Sequence, residues 1–508
     1  MATERLTGLD ASFLYFETPT QPLHVAMTLV FDPATIPGGY SFARLRQHIA
    51  ERIPEAPVFQ RRLLEVPFRL HHPVWVDDPD FDIDHHLRRA ALPAPGGLFE
   101  LAEFAGDVIS RQLDRGRPLW EMWVVEGVEG GKVALVAKMH HSTVDGVSGA
   151  QLLGVILDLE ITPENGHVPT ATGEGPAERS AKVPSSTQLV SQAMLARLVK
   201  PFEVTRLVMR TGQSLVGVVR IRRRSSGKAA LPLTAPRTSL NQSVGARRRV
   251  AFAAASLGDV KRLKNALGAT VNDIVLAVCT GALRQYLDGR GELPEIPLIS
   301  VVPVSVSQDL PDLPGSNKVS AMFVGLPTHV EDPLERVRLI QEDTKTAKDE
   351  HAALGASTLQ NWAEHATPNL FSLAMRLYSD MHLADRHRPV ANLVVSNVPG
   401  PDFPLYFAGA EMLAGFPLGP VVDGMGLNVT IMSYRGVLYW GFAADSRSVP
   451  RVWDIADAVT GALDELLGAA GLEAEPTDLR LQFGAPPGPE ESPGVENGHA
   501  PAPDRAPA

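Results

Sequence analysis

His140-His141-Ser142-Thr143-Val144-Asp145-Gly146 is the stretch of this sequence from which the fold is most directly inferred. Residues 132–139 before it form an apolar run typical of a buried strand. Residues Ser148 to Leu157 after it have the apolar spacing of a helix. A strand, a turn and a helix in succession indicate an α/β protein in which two adjacent imidazoles lie where a strand ends.

The side chains of this turn suit proton transfer. Imidazole titrates near neutrality, so either His140 or His141 can accept a proton and return it within one turnover. Asp145 can curl back to orient an imidazole, and Gly146 permits a positive φ where the loop folds over the site. The alternative is a metal site, because positions 141 and 145 would share a helix face. Zinc sites usually show further ligands at recognisable spacing, so we expect a catalytic turn with no metal and no cofactor.

Two other histidine doublets, His71-His72 and His85-His86, show that a doublet alone is not specific. Both lie among aspartates between positions 77 and 84. We expect them on a solvated surface with paired charges rather than at a second site.

Further strands and one buried helix indicate that the second half of the chain is also α/β. Glu121 to Gly127 and 132–139 should form a hairpin, with its turn at 128–131. A buried helix should begin at Val271, and Cys279, the only cysteine, should be a small core residue of it. The later strands are expected at Arg248 to Ser256, Ile296 to Val304, Val319 to Leu326, Leu393 to Ser396, Gly426 to Ser433 and Val437 to Phe442.

The histidine turn resembles the His-His-x-x-x-Asp-Gly signature of acyltransferases in the chloramphenicol acetyltransferase and peptide-synthetase condensation superfamily. Other blocks are similar to the bacterial wax ester synthase/acyl-CoA:diacylglycerol acyltransferase family within it. These blocks are 6–14, 17–19, 24–25, 118–121, 271–273, 302–305, 315–320, 326–328 and 396–401. Together they span roughly residues 5 to 465, a breadth that chance motifs would not give.

The resemblance implies two chloramphenicol-acetyltransferase-like subdomains with mixed sheets and an active site in the tunnel between them. It implies transfer of a long-chain acyl group from acyl-CoA to diacylglycerol, to a long-chain alcohol, or to both. It favours His141 as the base and His140 as a support, a distinction that the bare sequence does not make. The alternatives are transfer to another alcohol or amine, and a lipid-surface scaffold without turnover.

Three other blocks have both a functional and a structural interpretation. The resemblance implies that they bind substrate or support the site. As bare sequence, the Pro118 block is an aromatic anchor at the start of a strand, the Asn272 block is a helix N-cap and the Ser396 block is a strand-to-turn segment. The blocks are Pro118, Leu119 and Trp120; Asn272 and Asp273; and Ser396 and Asn397.

Composition and these matches divide the chain into five segments. Residues 1–161 form the subdomain with the histidine motif, and 247–472 form the second acyltransferase-like subdomain. Residues 162–190 are a flexible connector rich in Pro, Gly and Thr, and 191–246 are a basic helical bridge. Residues 473–508 are an acidic, proline-rich tail that we expect to be disordered.

Charge and hydropathy limit the partners. The net charge of −11 argues against nucleic acid, which needs a basic surface. The apolar runs fall short of the roughly 20 residues that span a bilayer, and the N-terminus lacks a secretory pattern. The segment from Ser191 to Lys228 is basic and partly amphipathic, so it could dock on an anionic membrane or lipid droplet, or pack as a linker. We therefore expect a cytoplasmic protein, which would be peripheral on the inner membrane face or on droplets if this segment docks; whether it docks and the oligomeric state both stay open.

Overall fold

The computed structural model describes residues 4–143, 154–161, 230–305, 319–354 and 368–475. The connector at 162–190, the segment from Ser191 to Lys228 and the tail beyond residue 475 lie outside the described residues. Asp145 and Gly146 also lie outside them.

In the described ranges, fifteen strands, which we label in chain order, build three sheets. They are β1 (Glu4–Arg5), β2 (His24–Asp32), β3 (Arg61–Leu64), β4 (Val74–Asp77), β5 (Leu87–Ala91), β6 (Trp120–Val128), β7 (Lys132–His140), β8 (Arg248–Ser256), β9 (Leu298–Ser305), β10 (Val319–Leu326), β11 (Leu393–Val398), β12 (Tyr406–Phe407), β13 (Ala410–Leu418), β14 (Leu427–Tyr434) and β15 (Val437–Asp445). The first large sheet has the order β12-β13-β2-β7-β6-β5 and the second has the order β10-β9-β11-β14-β15-β8. Both large sheets contain parallel and antiparallel pairs, which confirms the predicted α/β class with mixed sheets.

Helices pack against these sheets. They are α1 (Gly8–Phe16), α2 (Phe42–Arg52), α3 (Leu98–Ser110), α4 (Leu257–Leu267), α5 (Val271–Asp288), α6 (Pro333–Leu354), α7 (Pro368–Asp380) and α8 (Val452–Ala469). No one of these helices combines the length and apolarity of a membrane span; α4 and α5 reach that threshold only as a pair, across a bend of 106°.

The sequence-based hairpin and buried helix are confirmed. The turn between β6 and β7 places Gly130 and Gly131 at φ of 71° and 70°, which glycine adopts without strain. α5 begins at Val271 because Thr270 caps it, and Cys279 is buried in the core it shares with α8. Strands β12 and β13, of two and nine residues, were not predicted, and neither were β1 to β5.

Two strands of the second half belong to the sheet of the first half. β13 pairs antiparallel with β2, with Leu418 opposite Ala26 and Glu411 opposite Asp32. The chain reaches this sheet after leaving β11 through Pro399, Gly400 and Pro401. The two halves therefore share a sheet as well as an interface.

Candidate active site

Strand pairing brings a third histidine to the histidine turn. β2 and β7 run antiparallel with His24 opposite His140, so both rings lie at the same end of the first sheet. β7 ends at His140 because its carbonyl accepts hydrogen bonds from the backbone N–H of Thr143 (2.9 Å) and from Thr143 Oγ1 (2.6 Å). The chain then turns, and the His141 N–H donates to the Leu23 carbonyl at 2.9 Å.

His140 is held rigidly and is 1% exposed. The backbone N–H of Ser142 donates to His140 Nδ1 at 3.0 Å, and Ser142 Oγ lies 2.8 Å from the same atom. A backbone N–H can only donate, so Nδ1 is the acceptor and the neutral ring carries its proton on Nε2. That Nε2 lies 3.7 Å from Glu17 Oε2.

His141 has a different environment. Its ring stacks on the ring of Phe13, with centroids 4.1 Å apart and planes 12° from parallel. The residue is only half-buried, whereas His140 is fully buried. Of the pair, His141 is therefore the one that a ligand can reach.

Glu17 connects the buried charges beside the turn. Its side chain is 3% exposed and lies 2.6 Å from the Arg115 guanidinium and 3.4 Å from His24 Nε2. Within the described part of the chain, Glu17 Oε1, His140 Nε2 and both ring nitrogens of His24 make no hydrogen bond. Buried polar atoms without hydrogen bonds are rare and need an explanation, of which a functional role is one.

The pKa values of these groups leave Glu17 charged, and His24 and His140 uncharged, at neutral pH. Burial alone would raise the pKa of Glu17, but His140, His24 and Arg115 outweigh it and hold that pKa well below its usual range. Burial lowers the pKa of His24 to about 4, against the opposing effect of Glu17. Burial also lowers the pKa of His140, which Glu17 opposes and Arg115 reinforces. At neutral pH the carboxylate therefore faces Arg115 and two neutral rings.

The Pro118-Leu119-Trp120 block lies beside the turn. The Leu119 carbonyl accepts the His140 N–H at 3.0 Å, so this block fixes the end of β7. Trp120 is 2% exposed, donates from Nε1 to the Phe59 carbonyl at 2.9 Å and stacks on His86.

The other predicted site residues, Asn272, Asp273, Ser396 and Asn397, make their described contacts within the second half of the chain. Asp273 caps α5 through Thr270 and accepts a hydrogen bond from Thr344 Oγ1 at 2.9 Å; Asn272 lies in the same first turn. Ser396 and Asn397 lie in β11 and pair with residues 430 and 431 of β14. The described contacts thus bring His140, His141, Leu119 and Trp120 together.

Sequence reasoning missed the residues around the histidines. Phe13, Glu17 and His24 stood in the blocks given above but received no role, and Arg115 was not considered. The available signal was a carboxylate at the end of α1 and a histidine at the start of an otherwise apolar strand.

The expectation for the other doublets was wrong in part. His72 and His86 are buried. In these buried positions His72 Nδ1 lies 2.8 Å from the Tyr15 hydroxyl, and His86 Nδ1 lies 2.9 Å from the Trp120 carbonyl.

A cavity of about 440 Å³ lies next to Glu17. The end of α1 and the loop after α3 form one wall, through Leu14, Glu17 and Arg115. α7 forms another, through Ser372, Arg376 and Asp380. The cavity thus lies between elements from both halves of the chain.

Comparison with known proteins agrees with this architecture. Residues 6–275 match the wax ester synthase/diacylglycerol acyltransferase catalytic domain, and residues 315–467 match the WS/DGAT C-terminal domain. A protein of Mycobacterium tuberculosis (strain CDC 1551 / Oshkosh), assigned by name as a diacylglycerol O-acyltransferase, is 42% identical over 92% of this chain and 90% of its own length. A second protein of that strain with the same assignment is 35% identical over 93% of this chain and 98% of its own length.

Two solved structures have the same overall fold. The wax ester synthase/diacylglycerol acyltransferase of Marinobacter aquaeolei VT8 matches with a TM-score of 0.64 and 29% identity, over 92% of this chain and 100% of that chain. The first condensation domain of the CDA synthetase matches with a TM-score of 0.53 over 93% of this chain and 99% of that one, and at 15% identity it shows the fold alone. The domain matches and the mycobacterial relatives together show that this chain is an acyltransferase and belongs to the wax ester synthase/diacylglycerol acyltransferase family.

Proposed function

We propose that this chain transfers a long-chain acyl group from acyl-CoA to the hydroxyl of diacylglycerol, of a long-chain alcohol, or of both. His141 acts as the general base, and no acyl-enzyme forms. The observation that carries this assignment is the difference between the two adjacent rings. His141 is half-buried and approachable, whereas His140 is enclosed and held by Ser142.

The proton moves in one cycle. A ring nitrogen of His141 takes the hydroxyl proton as the alcohol oxygen attacks the thioester carbonyl. The carbon–sulfur bond then breaks, and the CoA thiolate either takes the proton from the imidazolium or leaves, in which case the imidazolium gives its proton to water. The sequence around the histidines contains no Gly-x-Ser-x-Gly elbow, which favours direct transfer between the two substrates. The scheme needs no metal and no cofactor other than acyl-CoA as co-substrate.

The remaining site residues have supporting roles in this proposal. His140 positions the turn, Asp145 orients the imidazole or ties the loop, and Gly146 allows the loop to fold over the site. Pro118, Leu119 and Trp120 hold the end of β7. Asn272, Asp273, Ser396 and Asn397 support the site from the second half, as the family resemblance implies.

The test uses the purified full chain with radiolabelled palmitoyl-CoA and diacylglycerol, hexadecanol or no acceptor. We expect labelled triacylglycerol or wax ester, and a His141→Ala variant that has lost about 10²- to 10⁴-fold of the turnover, which is the usual contribution of a general base. Turnover should persist in the presence of a chelator.

Each outcome has a defined meaning. A His141→Ala variant with undiminished turnover would refute the base assignment, and label on the protein without acceptor would refute direct transfer. Activity only on other alcohols or amines would identify a different acyltransferase of the superfamily. Lipid binding without turnover would identify a scaffold.

A further inference from the structure

Helix α7 presents apolar side chains in two directions. On one side Phe371 packs against α1, with its ring 4.8 Å from that of Phe16 and 6.3 Å from that of Tyr15. A second side carries Leu370, Leu373 and Leu377, and Met381 follows directly after the helix; these four are 49–67% exposed. Their spacing of three, four and four residues keeps them on one side of the helix. A surface helix that packs by one apolar face normally has polar residues on the other, so this second face needs an explanation.

The apolar face continues into a neighbouring turn. Phe68, in the turn Pro67–Arg69, is 83% exposed, more than any other large hydrophobic residue in the described ranges. Asn369 Nδ2 at the start of α7 donates to the Phe68 carbonyl at 2.9 Å, so the turn and the helix are adjacent. Of the twelve exposed large hydrophobics in those ranges, five lie on α7, just after it or on this turn. Such clustering distinguishes an interaction surface from scattered exposure.

Three arginines and one exposed carboxylate, Asp380, border this surface. Arg376 on α7 and Arg386 and Arg388 just beyond it are exposed, and none of the three forms an ion pair with another described residue. The whole chain has a net charge of −11, so general electrostatics would repel an anionic partner. Local cations around an apolar face are the arrangement by which proteins bind anionic lipid surfaces.

The same helix carries this surface and part of the cavity wall. Ser372, Arg376 and Asp380 of α7 line the cavity that Glu17 also lines, and Glu17 lies 3.7 Å from His140. Arg376 therefore both lines the cavity and borders the apolar face, so a partner that covers this face would lie at the edge of the cavity.

We propose that α7 and the Phe68 turn dock on an anionic phospholipid bilayer, with the leucines and Phe68 entering the headgroup region and the arginines contacting the headgroups. The choice of lipid as the partner rests on the proposed function, because diacylglycerol and long-chain alcohols reside in lipid rather than in water. A second copy of the chain fits less well, because a twofold contact would present the same arginine-rich face from both copies.

The test is flotation of the full chain with phosphatidylcholine vesicles containing phosphatidylglycerol, measured without acyl-CoA. The variant Phe68→Ser/Leu373→Ser/Leu377→Ser should reduce the bound fraction by about tenfold or more. The matched control Leu231→Ser/Leu233→Ser/Ile296→Ser removes three residues of 43–52% exposure from the second half and should bind as the wild type does. Circular dichroism and the thermal midpoint check that both variants fold.

A second measurement does not depend on removing apolar residues. The single natural cysteine, Cys279, is buried, so an environment-sensitive fluorophore will label Leu373→Cys selectively. Its emission should shift to the blue with vesicles, whereas the same label on Leu233→Cys should not respond.

Three results would overturn the docking proposal. The first is vesicle binding that survives the triple substitution, including the case in which it depends instead on Arg220, Arg222, Arg223 and Arg224. The second is equal loss in the control. The third is a wild-type dimer by light scattering that the triple variant converts to monomer. Absence of acyl transfer to every acceptor would refute the proposed function and leave the binding result intact, and turnover of a water-soluble alcohol should be equal in wild type and triple variant.

Discussion

Two neighbouring histidines in this chain occupy opposite environments. His140 ends β7 inside the first sheet, where burial and the N–H of Ser142 keep it neutral with its proton on Nε2. His141 lies one residue later, stacks on Phe13 and is approachable. The end of a single strand therefore divides the doublet into a held ring and an approachable ring.

Glu17 should act as a positioning residue through His140. Glu17→Gln keeps the volume but removes the charge that balances Arg115 and faces two rings, so the orientation of His140 is less fixed. We expect kcat to fall by about tenfold or more, with the acceptor KM within about twofold. Glu65→Gln is the control, because Glu65 is an exposed carboxylate in the same cavity. Equal kinetics in the two variants would exclude this role.

His24 should make stability fall in mild acid. Its pKa is about 4 in the folded protein and 6.5 for the ordinary group, so below pH 6.5 the unfolded chain binds more protons and the folded state loses stability until pH 4. The loss between pH 7 and pH 5 should be about 2 kcal/mol from this residue. Glu17 contributes little in this window, because its pKa is lowered in the folded protein and its ordinary value of 4.5 leaves it mostly ionised in the unfolded chain. Urea unfolding at the two pH values should show a smaller loss for His24→Gln; an identical loss would contradict the assignment.

At the scale of elements, a short polar motif can form part of a site or can cap the end of a helix. The β6–β7 hairpin carries the histidines because Leu119 and Thr143 close its end by backbone hydrogen bonds. The first turn of α5, by contrast, uses Asp273 in a reciprocal cap with Thr270. This cap is the role that Asp at the third helical position ordinarily has.

Removing this cap should lower the stability of the protein without changing its catalytic rate. Thr270→Ala removes the hydroxyl that accepts the Asp273 N–H, so the free energy of unfolding should fall by about 1 kcal/mol. The kcat of the folded enzyme should stay within about twofold of the wild type. A collapse of kcat at unchanged stability would instead show that the start of α5 supports the site, as the family resemblance implies.

At the scale of the whole molecule, two strands of the second half join the two halves by entering the first sheet. β13 completes the first sheet and also packs against β14 and β15 of the second sheet. At this junction β15 approaches β13 so closely that a Cβ at Gly441 would lie 1.8 Å from the Pro417 carbonyl oxygen. Only glycine permits that approach.

A methyl group at this junction should destabilise the protein strongly. Gly441→Ala forces two backbones apart, and we expect a loss of about 3 kcal/mol or more in the free energy of unfolding. Gly461→Ala is the matched control, because Gly461 lies on the exposed face of α8 with nothing within 4 Å of its ideal Cβ. That variant should gain about 0.5–1 kcal/mol. Similar midpoints for both variants in chemical denaturation would refute the close junction.

The sequence by itself determined the features that are encoded locally. Period and turn residues predicted the β6–β7 hairpin, the strands of the second sheet, the start of α5 and the histidine pair at a strand end, because each depends on residues adjacent in the chain. The pairing of β13 with β2 joins residues nearly 400 positions apart, and so the sequence carries no local signal for it. The same is true of the convergence of Glu17, His24 and Arg115 on His140. Only the tertiary structure decided these, because burial and long-range pairing, rather than local preference, select which polar side chains meet.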